Sequence, residues 1–268
     1  MDQVEPKWSC IKEGMIIMKQ RTACPLMNLS KYLPLALFML VLFCQCATVP
    51  PLDQRNSAAN FYDDFSGIGI DPSKWVVIGD RFSQPGDGFL HFSATGRTFQ
   101  MLRSQTVFSS GVFTMSILDY WCDNDAPHSQ QLGSIVGLGL GTEGHYVRIE
   151  RGQVRAGPMG YSSNIGGYLE VNWIVPSEPG SRLHVDASPS AITSGFLQIR
   201  YDGTRVSFFY RTSVTQAWTR VGPILTPGWT GPVPIFIQGL PGGTWSDRYT
   251  LRFRLDSVEV DPISVSRQ

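Results

Sequence analysis

The chain has 268 residues, 42% of them hydrophobic, 12% aromatic and 16% charged, and its 22 basic groups balance 22 acidic ones. That apolar content excludes disorder as the overall state, and the length fits one large β domain with an appendage. Residues 1–46 hold five basic and three acidic groups, leaving 17 and 19 for the rest. A body with a net charge of about −2 carries no electrostatic footprint for nucleic acid.

Leu33 to Phe43 reads LPLALFMLVLF, eleven apolar residues preceded by Lys31 and followed by Cys44, Gln45 and Cys46. Such a core has the length of a signal-peptide helix and falls short of a bilayer. Met27 is a more natural start for this signal than Met1, and residues 1–47 form the export segment. Cysteines closing an apolar core resemble the lipobox of bacterial lipoproteins, where the thiol after the cleavage site is acylated. Val41 stands three residues before Cys44, as that pattern favours, whereas Phe43 and Gln45 sit where small residues are expected. The resemblance implies a cell-envelope lipoprotein, periplasmic or outer-surface, anchored through Cys44 or Cys46; cleavage near Cys46 or Ala47 with secretion is the alternative. Four of the five cysteines precede position 47 and only Cys122 follows it, so the body has no internal disulfide. No CxxC pair or Cys/His zinc spacing occurs after position 46.

Residues 48–60 (TVPPLDQRNSAAN) are rich in proline and small polar residues and read as a linker. From Phe61 the pattern becomes short β-like runs between turn residues, without helical periodicity. Chain order predicts strands at Gly88 to Ser93, Val107 to Tyr120, Gly133 to Leu140, His145 to Glu150 and Tyr168 to Ile174. Gly139, Gly141 and Gly144 match GxGxxG, but HYVRIER after them alternates like a strand, so they make a hairpin turn. Phe196 to Tyr201 and Thr204 to Tyr210 flank Asp202-Gly203, a pairing that favours a type I′ turn. Ala217 to Val221 and Val233 to Gln238 follow. The clearest strand is Tyr249 to Val260, where Tyr249, Leu251, Phe253 and Leu255 alternate with Thr250, Arg252, Arg254 and Asp256. Ten to twelve such strands can bury their apolar faces only as two packed sheets.

The opening YDDFSGIGIDPSKW (Tyr62 to Trp75) resembles the first strand and turn of concanavalin A-like jelly rolls. GLGLGTEGHYVRIERG (Gly137 to Gly152) resembles their central hairpin, Leu197 to Gly222 the next strands, and YTLRFRLDSVEV (Tyr249 to Val260) the closing strand. The resemblance implies an all-β, antiparallel two-sheet jelly-roll sandwich over residues 61–262, followed by a tail at 263–268. It also implies a glycan or polysaccharide partner. Jelly rolls of this type often hold a structural calcium between the first and last strands, and Asp63, Asp64 and Asp256 occupy the matching places. No other cofactor is implied.

Family 16 glucanases on this fold carry Glu-x-Asp-x-Glu on one strand, because retaining hydrolysis needs two carboxylates about 5 Å apart on one face. No such run occurs here. The nearest echo is Asp119, Trp121 and Asp123, which share a face if their strand continues. An exposed indole stacks on a pyranose while carboxylates accept sugar hydroxyls, so this set is a candidate ligand site, with Glu170 and Trp173 as a second. The expected activity is therefore glycan binding without catalysis. A glucanase-type hydrolase with an atypical acid pair and a surface protein with no glycan ligand are the alternatives.

Overall fold

The computed structural model describes residues 61–96, 100–122, 134–142, 144–154, 166–186, 194–241 and 250–263. Cys44, Cys46, the export helix, the linker and Asp123 lie outside them. Fifteen strands occupy the described residues, and no helix among these is long and apolar enough to cross a membrane. They are β1 (Phe61–Asp63), β2 (Trp75–Ile78), β3 (Phe82–Ser83), β4 (Leu90–Thr95), β5 (Gln100–Phe108), β6 (Gly111–Cys122), β7 (Ser134–Thr142) and β8 (His145–Val154). They continue as β9 (Gly166–Val175), β10 (Glu178–Asp186), β11 (Gly195–Tyr201), β12 (Val206–Arg211), β13 (Thr219–Leu225), β14 (Val233–Leu240) and β15 (Thr250–Asp261).

All pairings are antiparallel and form two sheets. The first runs β13-β12-β11-β6-β15-β4-β3, with β1 added to the far end of β15; the second runs β10-β9-β8-β7-β14-β5-β2. Alternation sends one set of side chains from each sheet into a shared core. Leu197, Ile199, Phe208, Phe253 and Leu255 come from the first sheet, and Leu138, Leu140, Val147, Ile149 and Ile237 from the second. This is the jelly-roll sandwich expected from the sequence.

Two local expectations change. The predicted strand from Val107 to Tyr120 is two strands, because Ser109-Ser110 turn the chain between β5 and β6. The β11–β12 turn is shifted by one residue from Asp202-Gly203: the Asp202 N–H donates to the Arg205 carbonyl at 3.1 Å, and of the residues between them only Gly203 has positive φ, at 95°. Glycine alone at the first central position is the II′ arrangement, not I′. Asp202 instead caps the turn, accepting the Thr204 and Arg205 N–H groups through Oδ1.

A bulge in β6 settles which residues face outward. Register slips between Ile117 opposite Leu255 and Asp119 opposite Arg254, so Ile117 and Tyr120 both face the core although three residues apart. Asp119 and Trp121 consequently point to the outer face of the first sheet.

Candidate functional site

The five sequence-predicted ligand residues do not converge. Asp119 and Trp121 lie together on the outer face of the first sheet, and Asp123 is outside the described residues. Glu170 stands on the outer face of the second sheet. Trp173, three positions further along β9, points inward: it is 8% exposed, packs in the core, and donates its indole N–H to Glu178 at 3.2 Å. Its assignment as a stacking platform is corrected, because β9 alternation that turns Glu170 outward turns residue 173 inward.

The residues implied for calcium do not fit that ion. Asp63 Oδ2 accepts the Trp75 indole N–H at 2.6 Å and Oδ1 the Phe65 N–H at 3.1 Å. Lys74 Nζ lies 3.3 Å from Asp63 Oδ1 and donates to the Tyr62 carbonyl at 3.0 Å, so Asp63 already has a cationic partner. Asp64 caps Ser66, which holds its carboxyl below the usual carboxylate range, and Asp256 is an exposed bulge residue. Among the described residues no three His, Cys, Asp or Glu side chains are grouped to hold a metal.

The densest polar constellation is on the outer face of the second sheet. β8 points Tyr146, Arg148 and Glu150 outward at alternate positions, and register sets Glu150 opposite Glu170, and Arg148 opposite Asn172, on β9. On the other side, β7 contributes glycines opposite these residues, Gly137 to Glu150 and Gly139 to Arg148. Gly139 leaves room for the Phe236 ring of β14; a Cβ there would meet it at 2.1 Å. Gly152 does the same for Tyr168. The aromatic rings thus lie over bare backbone and leave the middle of the face to the charged groups.

Arg148 makes an ion pair with Glu150 through Nε and donates from NH1 to Gln238 Oε1 at 2.5 Å. Asn172 donates to Glu170 Oε1 at 3.2 Å and accepts the Tyr146 hydroxyl at 3.1 Å. Glu150 and Glu170 are 1% and 2% exposed. Burial pushes the Glu150 carboxyl up to about 7; Arg148 opposes the rise and Glu170 adds to it. Burial also raises Glu170, against its hydrogen bond from Asn172 and the charge of Arg148. With both carboxyls ionised, Glu150 Oε1 and Glu170 Oε2 have no donor. Burial favours the protonated form of both carboxyls, and a proton on either one relieves the repulsion between them.

Of these residues the sequence pointed only to Glu170. A signal for the others existed: Tyr146, Arg148 and Glu150 stand at alternate positions of a strand-like run and so share a face. A search for acids at every position passes over it.

No family model matches the chain, and no curated protein matches it in sequence. Solved structures share its fold. A prokaryotic β-1,3-1,4-glucanase (lichenase) from a mouse hindgut metagenome superposes with a TM-score of 0.52 at 13% identity, over 76% of this chain and 100% of that one. LamAcat of Zobellia galactanivorans gives 0.51 at 13%, over 77% and 98%. An immunostimulatory antigen and pseudo β-1,3-glucanase of Mycobacterium tuberculosis gives 0.50 at 13%, over 77% and 99%. At these identities the likeness is one of fold, an antiparallel two-sheet jelly roll.

Proposed function

We propose that the protein is an exported, lipid-anchored glycan-binding module that does not hydrolyse its ligand, and that the outer face of the second sheet receives the sugar. The observation that carries this reading is the composition of the outer face of β8, which presents Tyr146, Arg148 and Glu150 at alternate positions and so a single acid, not an alternating run of three. Tyr146, Asn172 and Ile174 are half-buried at the accessible end of the face and offer a ring, an amide and an apolar edge to a pyranose. The acids behind them are engaged with Arg148 and with each other.

Titration of the full chain with β-glucan oligosaccharides is expected to show binding that Tyr146→Ala and Asn172→Ala each weaken by roughly tenfold, with no release of reducing ends. Binding indifferent to both substitutions defeats the assignment of the face. A second reading, glycoside hydrolysis, is favoured only by the Glu150–Glu170 pairing. Reducing ends that appear with the wild type and vanish with Glu170→Gln would establish it. The anchor is tested by palmitate labelling, which the reading expects to be lost in the Cys44→Ser/Cys46→Ser double variant; label that persists rules the anchor out.

A further inference from the structure

On the opposite side of the sandwich, the outer face of the first sheet holds a second patch that the proposed sugar face does not use. Trp121 on β6 is 50% exposed. Its cross-strand neighbour is Arg252 on β15, whose guanidinium carbon lies 5.2 Å from the indole centroid. Exposed rings of this size normally turn inward or meet a partner.

The charges around Trp121 are unevenly satisfied. Asp119 accepts from Arg254 Nε at 2.8 Å and from its NH2 as well, so this pair is closed. His91, opposite Arg254, is paired with Asp87 at 2.8 Å. Arg252 is exposed, stands opposite Ser93 on its other side, and has no carboxylate partner among the described residues. The patch therefore combines an indole, a guanidinium with unused donors and the neighbouring Ser93.

From this geometry we infer a second binding surface, centred on Trp121 and Arg252, for carboxylate-bearing sugar units of the uronate class. The indole receives the apolar face of the pyranose ring, and the Arg252 fork takes the carboxylate in bidentate fashion. Charge complementarity selects this occupant. A neutral sugar would leave Arg252 unused, and a nucleic acid would require the basic field that the body lacks. A protein partner would require a larger apolar area than one exposed indole.

The test is calorimetric titration of the full chain with oligogalacturonate and, in parallel, with a neutral β-glucan oligosaccharide of equal length. Oligogalacturonate is expected to bind, with Trp121→Ala and Arg252→Gln each weakening it by roughly tenfold or more, and Tyr146→Ala leaving it unchanged. Both substitutions are at exposed positions, and unchanged melting temperatures verify that the variants are folded. The inference is overturned if oligogalacturonate does not bind, or if either substitution leaves its affinity intact. It is equally overturned if the neutral oligosaccharide shows the same dependence on Arg252. Because the Tyr146 face is probed by its own variant, loss of one surface is distinguishable from loss of the other.

Discussion

Replacing Arg148 by methionine is expected to destabilise the protein by about 3–5 kcal/mol at pH 8, because the change removes the cation paired with the buried Glu150 beside the buried Glu170. Methionine fills much of the volume, so the loss is electrostatic. Without the guanidinium the carboxyls avoid the cost by taking up protons. The penalty should therefore shrink at pH 5, and Arg148→Met/Glu150→Gln should recover most of it at pH 8. Urea unfolding of the three proteins at both pH values measures this. A single variant that loses less than about 1 kcal/mol at pH 8 would mean that Arg148 does not hold the pair.

The same cluster fixes the sign of the pH dependence in the wild type. Glu150 has a folded value of about 7, above the ordinary 4.5 that it regains on unfolding. Its contribution is fully present below pH 4.5 and is lost as pH rises towards 7, since the unfolded chain releases a proton that the folded one retains. The raised Glu170 acts in the same direction. Over that window stability should fall by about 3 kcal/mol from Glu150. Glu150→Gln should flatten the slope, and an unaltered slope in that variant would assign the effect elsewhere.

What the sequence disclosed and what it hid follow from how far apart the deciding residues are. Strands with strict alternation were legible, β15 above all, because Leu251, Phe253 and Leu255 report their own burial within a few residues. Edge strands were not: β2, β3 and β10 are short or lie where Gly, Pro and charge interrupt the period, and tertiary pairing alone makes them strands. The inward turn of Trp173 was legible in principle from the alternation that places Glu170 outward. The Glu150–Glu170 encounter was not, because it depends on the register between β8 and β9, which adjoining sequence does not specify. The Lys74 contact with Asp63 likewise joins residues eleven positions apart across a turn. The scarcity of lysine was nevertheless visible: Lys74 is the only one after position 46.

That contact underlies the second large effect. Asp63→Ala is expected to cost about 4 kcal/mol, although Asp63 was marked by its resemblance to a calcium ligand. The carboxylate is 5% exposed and holds three groups. The Trp75 indole N–H, inside the core, would lose its acceptor, and a buried donor left unpaired costs about 1–3 kcal/mol. Phe65 has φ of 52°, a left-handed conformation that a bulky residue adopts only when held there, and its N–H donates to the same side chain. Lys74 would keep the Tyr62 carbonyl but lose its counter-charge. Asp63→Asn should cost about half as much, since an amide oxygen can still serve the indole while the ion pair goes. Excess EGTA should leave the wild-type melting temperature where it stands in calcium, because the Lys74 ammonium already neutralises Asp63. A chelator-induced drop, or an alanine variant within about 1 kcal/mol of wild type, would show that a metal rather than this hydrogen-bonded lysine joins the first strand to its turn.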